Sequence, residues 1–267
     1  MGMDLPQHEL PDTPEQRARD RRRALRALNA SLAAVLLLAL VFFAQGAFDY
    51  RAFAVAPREA AGLVGLLSAP LLHGGLKHLA MNSIALVMLG TLAASVFPRA
   101  TLRALPLMWI GSGLGAWLLG EVGERHLGAS GVTHGLMFLL FVIGLLRRDR
   151  AAIAAGMLAF LFYGGMLLTV LPQEPGVSWQ SHLGGALGGV LGAFLFRRLD
   201  PLPPRRRYSW EIEEEEEAAR QAADADALEP ARPHEVPVIW QRDTFPAEGG
   251  NVVPLRKPAR EHRETGP

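Results

Sequence analysis

GASGVTHGLMFLLFVIGLL, residues 128–146, and SHLGGALGGVLGAFLF, residues 181–196, decide how this chain is read. Each opens on small and polar residues and then turns apolar. Ser130 and His182 therefore stand at the mouths of two hydrophobic runs. Polar groups at such places are costly in a membrane and usually functional.

Working outward, four more apolar runs appear. The full set is Ala27–Gln45, His78–Phe97, Ala104–Leu119, Ser130–Leu146, Ile153–Leu171 and Gln180–Phe196. Crossing a hydrocarbon core of about 30 Å takes about 20 helical residues, so the reading is an all-α membrane protein with six transmembrane helices. The shorter runs are expected to bury their ends in protein. Half of the 267 residues are hydrophobic, and they concentrate in 27–198. Residues 1–26 read as a basic N-terminal segment. Residues 199–267 read as a disordered tail, because the arginine-, glutamate- and proline-rich sequence offers no core. In that tail Arg205–Arg207 are expected at the anionic leaflet. The run Glu213–Glu217 reads as solvated chain rather than helix, and 236–240 is an isolated apolar patch. With no cysteine, disulfides, thiolate metal sites and thiol nucleophiles are excluded. An Arg-rich flank before the first run resembles a secretory signal, but the preceding polar stretch is long and five runs follow.

Arginine placement suggests the topology. Arg17 to Arg26, Arg99 with Arg103, Arg147 to Arg150, and Arg197 with Arg198 fall on one side of a six-span layout. The intervening connections hold only Arg51, Arg58, Lys77 and Arg125. Both termini are thus expected in the cytoplasm. Ser130, His182, His78 and Asn82 all open runs that enter from the opposite side, so four polar residues from three helices share one depth.

Their chemistry is suggestive and individually ambiguous. Serine becomes a nucleophile when a base accepts its proton, and His182 is the histidine at matching depth. Gly185 and Gly189, four residues apart, allow close helix approach; glycine packing with an incidental histidine is the plain alternative. Gly128 and Gly131 flank Ser130 at a loop-to-helix turn whose first amides lack intrahelical partners and can face an oxyanion. An N-capping serine is the plain alternative there. His78 and Asn82 share a helical face, and Asn82 carries two donors; it either serves an oxyanion or joins two helices. No Asp or Glu lies in the runs holding Ser130, His182 or Asn82, so the arrangement is a dyad.

Taken together, His78-x-x-x-Asn82, Gly128-x-Ser130-Gly131 and His182-x-x-Gly185-x-x-x-Gly189, with LLHGGLKHLAMN at 71–82, resemble the rhomboid intramembrane serine proteases. The resemblance covers roughly 27–198. It implies Ser130 as nucleophile, His182 as general base, and His78, Asn82 and the Ser130 amide around an oxyanion, with Gly128 and Gly131 supporting them. It also implies a six-helix bundle with a re-entrant first loop at 48–77, and a lateral gate formed by the fifth span and residues 172–179. The substrate class would be transmembrane segments of other proteins, cut near the extracytoplasmic face. Three departures stand out. His134 replaces the usual aromatic residue four after the serine and is expected to stack on His182 rather than compete for the serine hydroxyl. No Trp-Arg pair occurs in the first loop, where Tyr50-Arg51 lies too early. A glutamate common in the second span is absent near Ala94.

The alternative function is a catalytically silent, client-binding rhomboid-like protein, which typically loses the serine or histidine. A channel would spread ionisable groups through the full depth, and a zinc protease would offer His-Glu-x-x-His, which is missing. The reading therefore needs no cofactor and no metal. It names the lipid bilayer and transmembrane proteins as partners, excludes nucleic acid, and places the chain in a bacterial cytoplasmic membrane.

Overall fold

The computed structural model describes residues 13–172, 176–200 and 209–228. They divide into two units, within 1–207 and 208–267. The first contains α1 (Pro14–Ala44), α2 (Gly65–Ser68), α3 (Leu76–Val96), α4 (Pro98–Leu119), α5 (Ser130–Arg147), α6 (Arg150–Tyr163) and α7 (Trp179–Phe196); the second contains α8 (Ser209–Leu228).

Local chemistry sets the helix boundaries. Thr13 caps α1 by accepting from the Gln16 amide, with proline next in line. Asp149 and Ser178 cap α6 and α7 in the same way. Arg148 ends α5 in the left-handed region at φ 55°. Three runs differ from their expected limits. Helix α1 begins thirteen residues before Ala27, because the basic segment is itself a good helix former. Helix α4 starts at Pro98 instead of Ala104, since the Asp200 carboxylate caps its first amides from the far end of the fold. The run expected to reach Leu171 leaves α-helix at Tyr163, where Gly164 and Gly165 open a 3-10 turn ending at Leu167.

Part of the sequence expected to be disordered is helical: α8 covers Ser209–Leu228. Glutamate and alanine favour helix, Glu211 lies in its first turn, and Glu216 faces Arg220 at i,i+4. The apolar patch at 236–240 lies outside the described residues.

Among the described residues, five helices are long and apolar enough to cross a membrane: α1, α3, α4, α5, and α6 with its 3-10 extension. Helix α7 has eighteen residues, but Gln180, Ser181, His182 and five glycines dilute its apolar character. Protein covers two of its faces, while Leu187, Leu191, Phe194 and Leu195 remain exposed. Gly184 and Gly188 lie against α4: Cβ atoms built there would meet the Gly111 carbonyl oxygen at 2.0 Å and that of Leu107 at 2.4 Å. Gly185 and Gly189 lie against α5, at 1.9 Å from the Gly131 oxygen and 2.1 Å from that of Gly135. Helix α7 is therefore gripped on two adjacent faces, each by a glycine pair one turn apart.

Helix α5 is the most enclosed of the apolar five, with 61% of its apolar window buried against 33% or less for the others. Leu136, Met137, Leu139, Leu140 and Ile143 join Leu89, Phe97 and Met108 in the main core. At the C-terminal end of α5, Arg147 binds Asp149 at 2.8 Å, donates to the Asp200 carbonyl and lies over the Phe97 ring. This cluster ties together the ends of α4, α5, α6 and α7.

Residues 48–75 form 3-10 turns around α2 and lie on α4. The Trp109 and Trp117 indoles donate to the carbonyls of Leu67 and Glu59. The segment closes where the Gln45 side-chain amide pairs with both backbone groups of His73, each at 2.9 Å.

Candidate active site

Ser130 is the first residue of α5. The N-cap position belongs to Ala129, which makes no side-chain cap bond. The hydroxyl of Ser130 is therefore not spent on capping, and the first amides of α5 lack intrahelical partners. Gly128 forms the turn ahead of it at φ +117°, a conformation side chains avoid. It also has no room for one: a Cβ would lie 2.5 Å from Cε1 of His78 and 3.5 Å from Nδ2 of Asn82. At Gly131 a Cβ would lie 2.0 Å from Oγ of Ser112. His78 and Asn82 are thus packed directly on the serine turn.

The Ser130 hydroxyl and Nε2 of His182 are 2.9 Å apart. The other nitrogen, Nδ1, donates to the Thr169 carbonyl at 2.9 Å. A carbonyl only accepts, so Nδ1 carries the proton and Nε2 presents its lone pair to the serine. The orientation that a carboxylate supplies in a triad comes here from a backbone oxygen.

His134 stacks on His182, with centroids 3.8 Å apart and planes inclined by 13°. Its Nδ1 donates to the Ser130 carbonyl at 2.7 Å, and its Nε2 faces the Thr169 hydroxyl at 2.8 Å. It leaves the serine hydroxyl to His182. Thr169 thus engages both rings, one by its carbonyl and one by its side chain. No sequence spacing signals Thr169, because it lies in a turn after α6 and meets its partners only through tertiary packing.

Asn82 is 5% exposed, and its Nδ2 has no hydrogen-bond partner among the described residues. An unpartnered buried donor beside the serine turn is costly unless something uses it. His73 packs edge-on against His78 at 5.1 Å. Ser130, His182 and His78 line one cavity of about 1040 Å³, which Glu121, Glu124 and Arg125 also border. Among the described residues no group of three or more His, Asp or Glu converges in metal-binding fashion.

A family model for the Rhomboid domain matches residues 60–199, more than half of the chain, and that span holds Ser130, His182, His134, Thr169, His78 and Asn82. The chain belongs to the rhomboid family. Most rhomboids are intramembrane serine proteases. Uncharacterized proteins of Mycobacterium tuberculosis and Mycobacterium bovis are each 41% identical to this rhomboid over 149 residues, covering 53% of the chain and 62% of the relative. A Mycobacterium leprae protein is 39% identical over 141 residues, covering 50% and 56%. The chain thus spans about 62% of the length of the first of these relatives. All three are bacterial proteins, and the five apolar helices make this rhomboid a multi-pass membrane protein.

Proposed function

We propose that this rhomboid is an intramembrane serine endopeptidase. The observation that carries the reading is the 2.9 Å contact between Ser130 Oγ and a His182 ring whose tautomer the Thr169 carbonyl fixes. As the scissile carbonyl arrives, Ser130 Oγ attacks its carbon while Nε2 of His182 takes the hydroxyl proton. Negative charge develops on the substrate oxygen, within reach of the α5 N-terminal amides, Asn82 Nδ2 and His78. Collapse of the tetrahedral intermediate expels the amine, which receives the proton from Nε2. Water then attacks the acyl-enzyme with His182 again acting as base. Gly128 and Gly131 keep the turn small enough for these donors to converge. His134 holds the His182 ring plane through the reaction.

In this reading α7 is the sixth span and residues 48–77 are the re-entrant loop. Both termini lie in the cytoplasm of a bacterial cell, as the arginine pattern suggests, and the site opens to the extracytoplasmic side. Substrates are transmembrane segments.

Cleavage of a generic transmembrane substrate in liposomes by wild type, Ser130→Ala and His182→Ala tests the proposal. Cleavage by wild type alone is expected. Equal cleavage by all three points to a contaminant. Silence from a folded wild type across several substrates favours the client-binding alternative.

A further inference from the structure

The turns that deliver Ser130 and His182 are joined a second time, outside the dyad. His126 lies four residues before Ser130 and is 7% exposed. Its backbone exchanges two 2.9 Å hydrogen bonds with Val55, and the Gly128 amide donates to the Ala69 carbonyl at 2.9 Å. The serine turn is thereby pinned to the first loop. The imidazole then reaches across to α7, where Nδ1 lies 2.7 Å from the Ser178 hydroxyl. On the other side Nε2 lies 3.1 Å from a Glu124 carboxylate oxygen. A Cβ built on Gly120 would meet Nε2 at 2.5 Å, so the ring is wedged against the end of α4.

Ser178 is the N-cap of α7. Its hydroxyl accepts from the Ser181 amide at 3.3 Å and is 2.9 Å from the Ser181 hydroxyl. Its carbonyl accepts from the His182 amide at 3.2 Å. A side-chain bond to Ser178 is therefore one step removed from the backbone of His182.

We propose that His126 is a positioning residue, whose bond to Ser178 sets the register between the turn carrying Ser130 and the turn carrying His182. The inference rests on the protease reading and adds a part to it. The dyad contact cannot keep this register through a reaction cycle, because Ser130 gives up its proton and becomes acylated. The His126–Ser178 bond involves no reacting atom and persists through both half-reactions. It keeps His182 in place when the base must next activate water.

The test separates the bond from space filling. Asparagine places its amide where Nδ1 of histidine lies, and glutamine places its amide nearer Nε2. Full-length protein in detergent is treated with a fluorophosphonate probe, in which a reactive serine displaces fluoride from phosphorus. The expected labelling is that of wild type, absent in Ser130→Ala. His126→Gln slows it about 10- to 100-fold, and His126→Asn restores it to within about threefold of wild type. His126→Gln and Ser178→Ala should also be non-additive in thermal stability, since both delete one bond. Equal labelling by the Asn and Gln variants, or additive stability effects, overturns the proposal. An unlabelled wild type that still shows non-additivity overturns the protease reading while leaving the bond between the two turns intact.

Discussion

Gly185→Ala is the sharpest perturbation of the site, because it adds one methyl group and replaces no reacting atom. That Cβ would sit 1.9 Å from the Gly131 carbonyl oxygen, 2.5 Å from its carbonyl carbon and 3.0 Å from its α-carbon. These are backbone atoms and cannot swing aside. An ordinary carbon–oxygen approach is about 3.3 Å, so the 1.9 Å contact needs about 1.4 Å of separation between α5 and α7. Half of that, transmitted to the dyad, lengthens the 2.9 Å Ser130–His182 contact to about 3.6 Å, which is no longer a hydrogen bond. Misplacement on the 1 Å scale costs about 100-fold in rate. Gly46→Ala is the control, since nothing lies within 4 Å of a Cβ there. The assay is liposome cleavage together with thermal unfolding in detergent. Gly185→Ala is expected to lose about 100-fold in cleavage while Gly46→Ala stays near wild type. A Gly185→Ala protein that folds normally and cleaves within twofold of wild type would refute the close-approach reasoning.

Three further outcomes are expected. His134→Phe keeps the stack on His182 and frees the Thr169 hydroxyl to bond the Met166 carbonyl, already 3.2 Å away. Its cleavage rate should stay within about threefold of wild type, whereas His134→Ala, which removes the ring, should lose about tenfold or more; equal rates would deny the stack any role. Asp200→Ala removes two bonds, of 3.1 and 3.0 Å, from the first amides of α4, and should destabilise by about 1–2 kcal/mol; an unchanged unfolding temperature would contradict this. His73 is 1% exposed, and burial, helped by the neighbouring His78, pushes its pKa down to about 4. The folded value lies below the unfolded one, so the neutral ring contributes stability in full above about pH 6.5 and loses it as pH falls towards 4. His73→Phe should flatten that acid limb, and an unaltered profile of unfolding temperature against pH would show that His73 is not its source.

Much of the candidate site was legible in the chain itself. Ser130, His182, His78 and Asn82 stand at the mouths of apolar runs, and hydrophobic run length with arginine placement is a local property that needs no tertiary contact. The family resemblance rested on the same residues, which the Rhomboid domain match includes. Gly185 and Gly189 were visible as a close-packing pair. That Gly184 and Gly188 form a second pair, serving a different helix, follows only from how α4 and α5 flank α7.

Long-range contacts decided the rest. The limits of α4 depend on Asp200, a hundred residues away, because a helix end is set by whatever satisfies its free amides. The partners of the two stacked histidines depend on Thr169, which shares no period or motif with either. His126 reads in sequence as one more polar loop residue, and becomes a bridge only because α7 begins 2.7 Å from its ring. Sequence alone determined which polar residues stand at the mouths of apolar runs, since a polar group in such a place carries a cost that composition reveals. Tertiary structure decided which atoms each of them meets. A hydrogen bond is made or lost within about half an ångström, a precision that only the packing of helix on helix supplies.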